Sequence, residues 1–164
     1  MSKRFNLREF QQQVLDRLQA QTAGDSRQST LGIQLGQENW LVDMTDISEV
    51  MPLPALTPVP LTKSWYCGVA NVRGNLYSII DLNAYTRQQS TVRDAHNRVL
   101  LLGQRYAFNT GLLVSRVLGL RNTEDWPQSA EDGMTRFRDP DGQTWNKLDI
   151  PGLLSQPEFL QIGE

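Results

Sequence analysis

Hydrophobic and polar positions follow two different periods along the chain. Over residues 5–21, Leu7, Phe10, Val14 and Leu18 recur at spacings of three and four, which puts them on one side of a helix. Asn6 with Glu9 has the form of a capping box, and Phe5 with Phe10 that of a hydrophobic staple. The polar run 22–29, containing Gly24, ends this helix and reads as a linker.

From Thr30 the period shortens to two. Leu31, Ile33 and Leu35 share a face, residues 36–39 supply a turn, and Trp40, Val42 and Met44 alternate again, which predicts a hairpin continued by the apolar piece 47–51. Pro52, Pro54, Pro58 and Pro60 then remove ladder donors, so the segment reads as a surface connection without strand pairing. Residues 65–82 carry the densest strand signal. Segments 67–72 and 76–82 flank Arg73, Gly74 and Asn75, and Gly74-Asn75 suits a tight turn with positive φ at its first central residue, leaving Arg73 at the end of a stiff hairpin.

After the polar stretch 86–97, residues 98–102 and 106–120 read as further strands. Residues 134–138 and 143–145 flank Asp139-Pro140-Asp141-Gly142, where proline sets φ and glycine takes the left-handed position. Residues 149–154 read as a short helix with Pro151 in its first turn. Eight to ten short strands between two modest helical pieces predict a mainly β sandwich or small barrels, and the lack of long helices between strands argues against a doubly wound parallel sheet.

Composition narrows the function more than the fold. The 164 residues suit one domain or two subdomains sharing a core. With 16 Lys+Arg against 18 Asp+Glu, a net charge of −2 and arginines scattered along the chain, no basic face for nucleic acid is evident. Single copies of Cys67 and His96 exclude an intrachain disulfide, a Cys/His zinc site and a two-histidine mechanism. The first residues lack the apolar core of a signal peptide, and no stretch approaches the roughly 20 apolar residues of a membrane span, so the expectation is a cytoplasmic protein without direct membrane insertion.

Candidate chemistry is sparse. His96 lies in the polar run 94–98 and reads as an exposed loop residue, while Cys67 inside a strand reads as a small buried hydrophobe before a nucleophile. Asp139-x-Asp141-Gly142 matches only part of a calcium loop, without the further oxygen ligands and closing glutamate. Trp40, Trp65, Trp126 and Trp145 are not interleaved with basic residues and read as packing groups. No catalytic residue, metal or cofactor is therefore expected. Arg73 at a hairpin end and Glu49 before the proline segment, with apolar neighbours, form a candidate protein-recognition face. The residues alone leave open a small all-β interaction module or an unidentified enzyme, for instance a small β-barrel hydrolase using Cys67.

The run from Trp65 to Leu82, WYCGVANVRGNLYSIIDL, resembles the signature of CheW-like domains: a glycine, a short apolar stretch, Asn-x-Arg-Gly, an apolar strand and Asp-Leu. Residues 31–36, 40–50, 98–102 and 111–120 resemble the flanking strands of that family in order. The leading helix, the form of the motif, Trp145-Asn-Lys-Leu-Asp-Ile150 and Phe159-Leu-Gln-Ile-Gly163 resemble its PilI branch, associated with type IV pilus chemosensory systems and twitching motility. The resemblance implies two intertwined five-stranded SH3-like barrels without a catalytic centre, acting as an adaptor between a methyl-accepting receptor and a CheA-type histidine kinase whose regulatory domain has the same fold. A flagellar or other chemosensory array is the alternative setting.

Residue by residue, the resemblance marks Glu49, Val50 and Arg73 for receptor contact and Ile47 and Gly68 for kinase contact. It divides the chain into an N-terminal helix and linker, 1–29, and a domain of two β-barrel subdomains, 30–164. Three departures stand out: Ser78 where the family usually has proline, Cys67 where a polar or charged residue is usual, and a poor fit over 121–144.

Overall fold

The computed structural model describes residue 11, residues 30–103, residue 106 and residues 109–163. The helix expected over 5–21, with its capping box, and the linker 22–29 lie outside the described residues. The chain is mainly β. Its strands are β1 (Thr30–Leu35), β2 (Glu38–Asp43), β3 (Ile47–Pro52), β4 (Tyr66–Val72), β5 (Asn75–Asp81), β6 (Arg98–Leu102), β7 (Thr110–Val114), β8 (Arg116–Arg121), β9 (Gln128–Glu131), β10 (Met134–Arg138) and β11 (Thr144–Leu148). Three short α-helices, α1 (Leu82–Arg87), α2 (Ile150–Ser155) and α3 (Pro157–Leu160), and a single 3-10 turn (Met44–Asp46) between β2 and β3 complete the described elements.

Two sheets form, and the chain visits them alternately. One has the order β8-β1-β2-β11-β10-β9, the other β3-β6-β7-β5-β4. The chain therefore begins in the six-stranded sheet, builds the whole five-stranded sheet, and returns. This is the intertwining that the resemblance implied, with six strands in the first sheet where five were expected.

Strands at the junction bury both faces, which explains their continuous rather than alternating apolar runs. In β6, Leu100 and Leu102 enter a core shared with Leu31, Ile33, Trp40 and Val42, while Val99 and Leu101 point into a second core with Ala70, Val72, Ile79 and Leu113. In β7, Leu112 and Leu113 divide in the same way.

The five-stranded sheet curls until its edges meet. Past β3, Thr57 pairs with Val69 of β4, with the Thr57 N–H to Val69 O bond at 2.8 Å and its reciprocal at 2.9 Å. The proline segment, expected to make no strand pairing, thus closes the sheet at one residue. That contact covers an edge otherwise open to pairing with other chains. Met51, Leu53 and Leu56 pack against the enclosed core.

Motif residues also have structural work. Asp81 caps α1, accepting from the Ala84 N–H at 3.2 Å, and Leu82 is fully buried. Ser78, standing where the family usually has proline, donates its N–H to Asn109 O at 3.0 Å, a bond proline lacks. Asp149 caps α2 through the Gly152 N–H at 3.2 Å, with Pro151 in the first turn as expected.

All four tryptophans pack. Trp65 stacks on Phe159 at 6.1 Å and meets Tyr85 edge-on at 5.1 Å, fastening α3 to the start of β4. Trp145 lies over Gly32, where a Cβ would stand 2.9 Å from its Cζ3, and it also meets Trp126 and the Arg121 guanidinium. Trp40 is buried in the shared core.

Candidate functional site

The β4–β5 hairpin is tighter than expected. Its register pairs Val72 with Asn75, leaving Arg73 and Gly74 as the loop, with φ of 51° and 85°. Two positive φ values make the turn that matches the right-handed twist of the strands. Asn75, read from the sequence as part of the turn beside Gly74, is instead the first residue of β5. The expected turn put Gly74 at its first central position; in the fold Gly74 takes the second, where glycine is usual when both φ values are positive, and Arg73 takes the first, ordinarily held by asparagine, aspartate or glycine, at a cost of about 1–2 kcal/mol for a side chain in the left-handed region. Asn71 supports the loop by accepting the Gly74 N–H at 2.9 Å.

Glu49 reaches the same place from the opposite edge of the sheet. The β3–β6 register shifts between Ile47 and Glu49, and the Ser48 hydroxyl lies 3.1 Å from Leu101 O and 3.2 Å from Leu102 O. Such a bulge re-aims the following side chain. The Glu49 carboxylate accepts a hydrogen bond from the Arg73 guanidinium, an ion pair spanning two strands that end the sheet order on opposite sides.

The Arg73 side chain stays 72% exposed, so the pair contributes about 0–1 kcal/mol, no more than the turn costs. What it does provide is a guanidinium held in one direction with most of its surface open. Val50 and Leu76, 36% and 63% exposed, are the large apolar residues on the adjoining stretches of β3 and β5.

The other two marked residues sit differently. Ile47 is buried in the shared core. Gly68 is buried in β4 at φ 136°, and a Cβ there would stand 2.5 Å from Thr57 O. Its need for glycine is therefore met inside this chain, at the closure of the sheet. The fold joins Arg73 to Glu49 by a surface ion pair, leaves Val50, next to Glu49 in β3, exposed, and buries Ile47 and Gly68. Leu76, beside the turn, and Thr57, opposite Gly68, were not singled out from the sequence; Leu76's place just after the turn was the available signal.

The remaining candidates hold no catalytic arrangement. Burial pushes the Cys67 thiol up, and Arg93, whose Nη2 lies 3.5 Å from the sulfur, pulls it back only in part. Native Cys67 is accordingly expected to react with iodoacetamide at pH 7.5 about tenfold more slowly than in the urea-unfolded chain. A native rate equal to or above the unfolded one would restore the hydrolase alternative.

His96 is exposed, its backbone N–H bonded to Asp94 at 2.8 Å. Asp139 accepts from Trp145 Nε1 at 2.9 Å and from the Gln143 N–H at 2.8 Å, and the tryptophan bond above all holds its carboxyl below the usual carboxylate range. Among the described residues, no group of three or more His, Cys, Asp or Glu is placed to hold a metal ion, and no helix is long and apolar enough to cross a membrane.

Comparison with known proteins agrees with the fold. The family model for the CheW-like domain matches residues 29–158. The chain belongs to the CheW-like domain family. It is 32% identical to protein PilI of Pseudomonas aeruginosa over 105 residues, covering 64% of this chain and 58% of that protein, so the match spans little more than half of PilI. It is 31% identical to the chemotaxis protein CheW of Klebsiella aerogenes over 157 residues, covering 91% of this chain and 93% of that one. Among solved structures, the scaffolding protein TtCheW from Thermoanaerobacter tengcongensis shares the fold, with a TM-score of 0.64 over 76% of this chain and 90% of that one at 17% identity.

Proposed function

We propose that this CheW-like protein is a non-enzymatic, cytoplasmic adaptor, recruited to receptor arrays, that couples a methyl-accepting receptor to a CheA-type histidine kinase. The similarity to PilI favours a type IV pilus system controlling twitching motility. The near full-length similarity to a chemotaxis CheW favours, as a second reading, an array with another output. Which kinase binds tightly distinguishes the two.

The observation that carries the adaptor reading is the Arg73–Glu49 pair. Two local irregularities, a strained turn and a bulge, converge on an exposed ion pair that adds little to stability. A guanidinium pre-oriented in this way loses little side-chain entropy on docking, and Val50 and Leu76 supply apolar contact around it. Signalling then needs no chemistry in the adaptor. A receptor conformation bound more tightly shifts the assembly, and only that difference in affinity reaches the kinase.

Arg73→Ala is expected to weaken binding of a receptor-tip fragment by about 10- to 100-fold, or about 1–3 kcal/mol, and to leave binding of the kinase regulatory domain nearly unchanged. Titration calorimetry with both fragments measures this. Arg73→Gly, which relaxes the turn, should lose as much receptor affinity as Arg73→Ala. Wild-type receptor binding by both variants removes Arg73 from the site.

A further inference from the structure

The six-stranded sheet carries a row of polar side chains across three adjacent strands. The β2–β11 register sets Trp40 opposite Asn146, and the β10–β11 register sets Asn146 opposite Arg136, on strands about 4.8 Å apart. All three residues line a cavity of about 780 Å³ that α1 and α2 bound on its other side. Small-molecule sites have volumes of roughly 300–1,000 Å³ and recur in the mouths of β-barrels.

What the row leaves unused is donor capacity. Arg136 Nε donates to Asn146 Oδ1 at 3.2 Å, and Arg136 Nη1 donates to Glu131. A guanidinium only donates, so the Asn146 amide turns its oxygen to Arg136 and its Nδ2 elsewhere. Neither Asn146 Nδ2 nor Arg136 Nη2 has an acceptor among the described residues. Trp40 is 4% exposed, and its Nε1 is shielded from solvent without a hydrogen-bond partner. A buried indole N–H usually finds an acceptor, and one left without costs stability that nothing else in the fold returns.

Three unused donors side by side call for an anion, and the rest of the lining selects which one. Met134, Leu148 and Leu153 supply apolar wall, while the exposed Asp132, Asp149 and Glu158 stand around them and oppose a doubly charged group such as a phosphate monoester. A carboxylate brings a single charge and two oxygens that bridge neighbouring donors. Met134 lies two residues from Arg136 on the same face of β10, is half-buried and is unbranched, so its rotation opens a way towards Trp40. We propose that this cavity binds a small monocarboxylate with an apolar body, its carboxylate accepting from Trp40 Nε1, Asn146 Nδ2 and Arg136 Nη2. The site lies in the other sheet from Arg73 and Glu49 and is independent of the adaptor reading.

Titration of the full chain with hexanoate tests this, with the indole N–H signals of the four tryptophans followed by nitrogen–proton correlation NMR. Trp40→Phe assigns the Trp40 signal. Hexanoate is expected to move that signal downfield with a Kd of about 1 mM or below. Hexanol, with the same body and no charge, and hexyl phosphate, with a second charge, should each bind about tenfold more weakly or worse. Asn146→Asp keeps an acceptor for Arg136 and replaces the unused donor by a carboxylate oxygen, so its Tm should stay close to wild type while hexanoate affinity falls about tenfold or more. No saturable shift at about 10 mM hexanoate, equal affinity for hexanol, or wild-type affinity in Asn146→Asp overturns the site. Hexyl phosphate binding as tightly as hexanoate overturns its assignment to a carboxylate.

Discussion

Gly68→Ala is expected to lower the unfolding free energy by about 3–5 kcal/mol. The new Cβ would stand 2.5 Å from Thr57 O and 3.1 Å from Thr57 C, and both are backbone atoms that no rotamer change can move aside. At φ 136° an L side chain costs about 1–3 kcal/mol before any contact is counted. Moving Thr57 away loses the two bonds to Val69, each worth about 1 kcal/mol. Against a total stability of about 5–15 kcal/mol this is a large share, and at about 2–4 °C per kcal/mol it lowers Tm by about 10 °C. Urea unfolding checks the value.

Two other glycines calibrate it. At Gly74 the added Cβ meets nothing within 4 Å, so Gly74→Ala carries only the strain of its positive φ. At Gly111 the Cβ would stand 2.7 Å from Val99 Cγ1 and 2.8 Å from Ile79 Cδ1, side-chain ends that can shift, for about 1–3 kcal/mol. Gly68→Ala should cost the most of the three. A cost at Gly68 no larger than at Gly74 would mean that Thr57 yields freely and that closure of the sheet contributes little.

Local pattern carried much of the fold and little of the site. Alternation located β1 and β2, and the density of the strand signal over 65–82 located β4 and β5. The strand β9 had no such mark and was not read: its four residues are all exposed, and the Asp132-Gly133 turn after it, both residues at positive φ, was the one signal there to use. Arg73 was visible as a residue near a turn, but its position within the turn was not, since the usual preference for glycine or asparagine at positive φ points elsewhere. The ion pair to Glu49 was illegible for a different reason. It joins strands at opposite ends of the sheet order and exists because the sheet curls, which depends on Thr57 reaching Val69. Gly68 shows a mixed case, where the need for close backbone approach was readable and the backbone concerned was not.

Asp81→Ala is expected to cost about 3–5 kcal/mol and to release the loop before β6. Asp81 is 3% exposed and ends β5, where its own N–H is held by Trp65 O at 2.8 Å. Its carboxylate accepts from the Ala84 N–H at 3.2 Å, the Thr91 N–H at 2.8 Å and the Thr91 hydroxyl at 2.6 Å. Alanine leaves these three donors without an acceptor, and a buried donor left unsatisfied costs about 1–3 kcal/mol. The loss of the helix cap is one part of that total. Asp81→Asn should fall between wild type and alanine, because the amide keeps one accepting oxygen and turns a donor towards a group that also donates.

The two halves of this effect separate experimentally. Asn97, buried at the far end of the same loop, bonds through its amide to Val92 O and Ser115 O at 3.1 Å and is untouched by the change. Amide exchange should therefore speed up most at Ala84 and Thr91, and less at Asn97. Uniform acceleration across the domain would show that Asp81 supports the global fold without a distinct role in pinning this loop. Unchanged exchange at Thr91 would show that its bonds to Asp81 contribute nothing in solution.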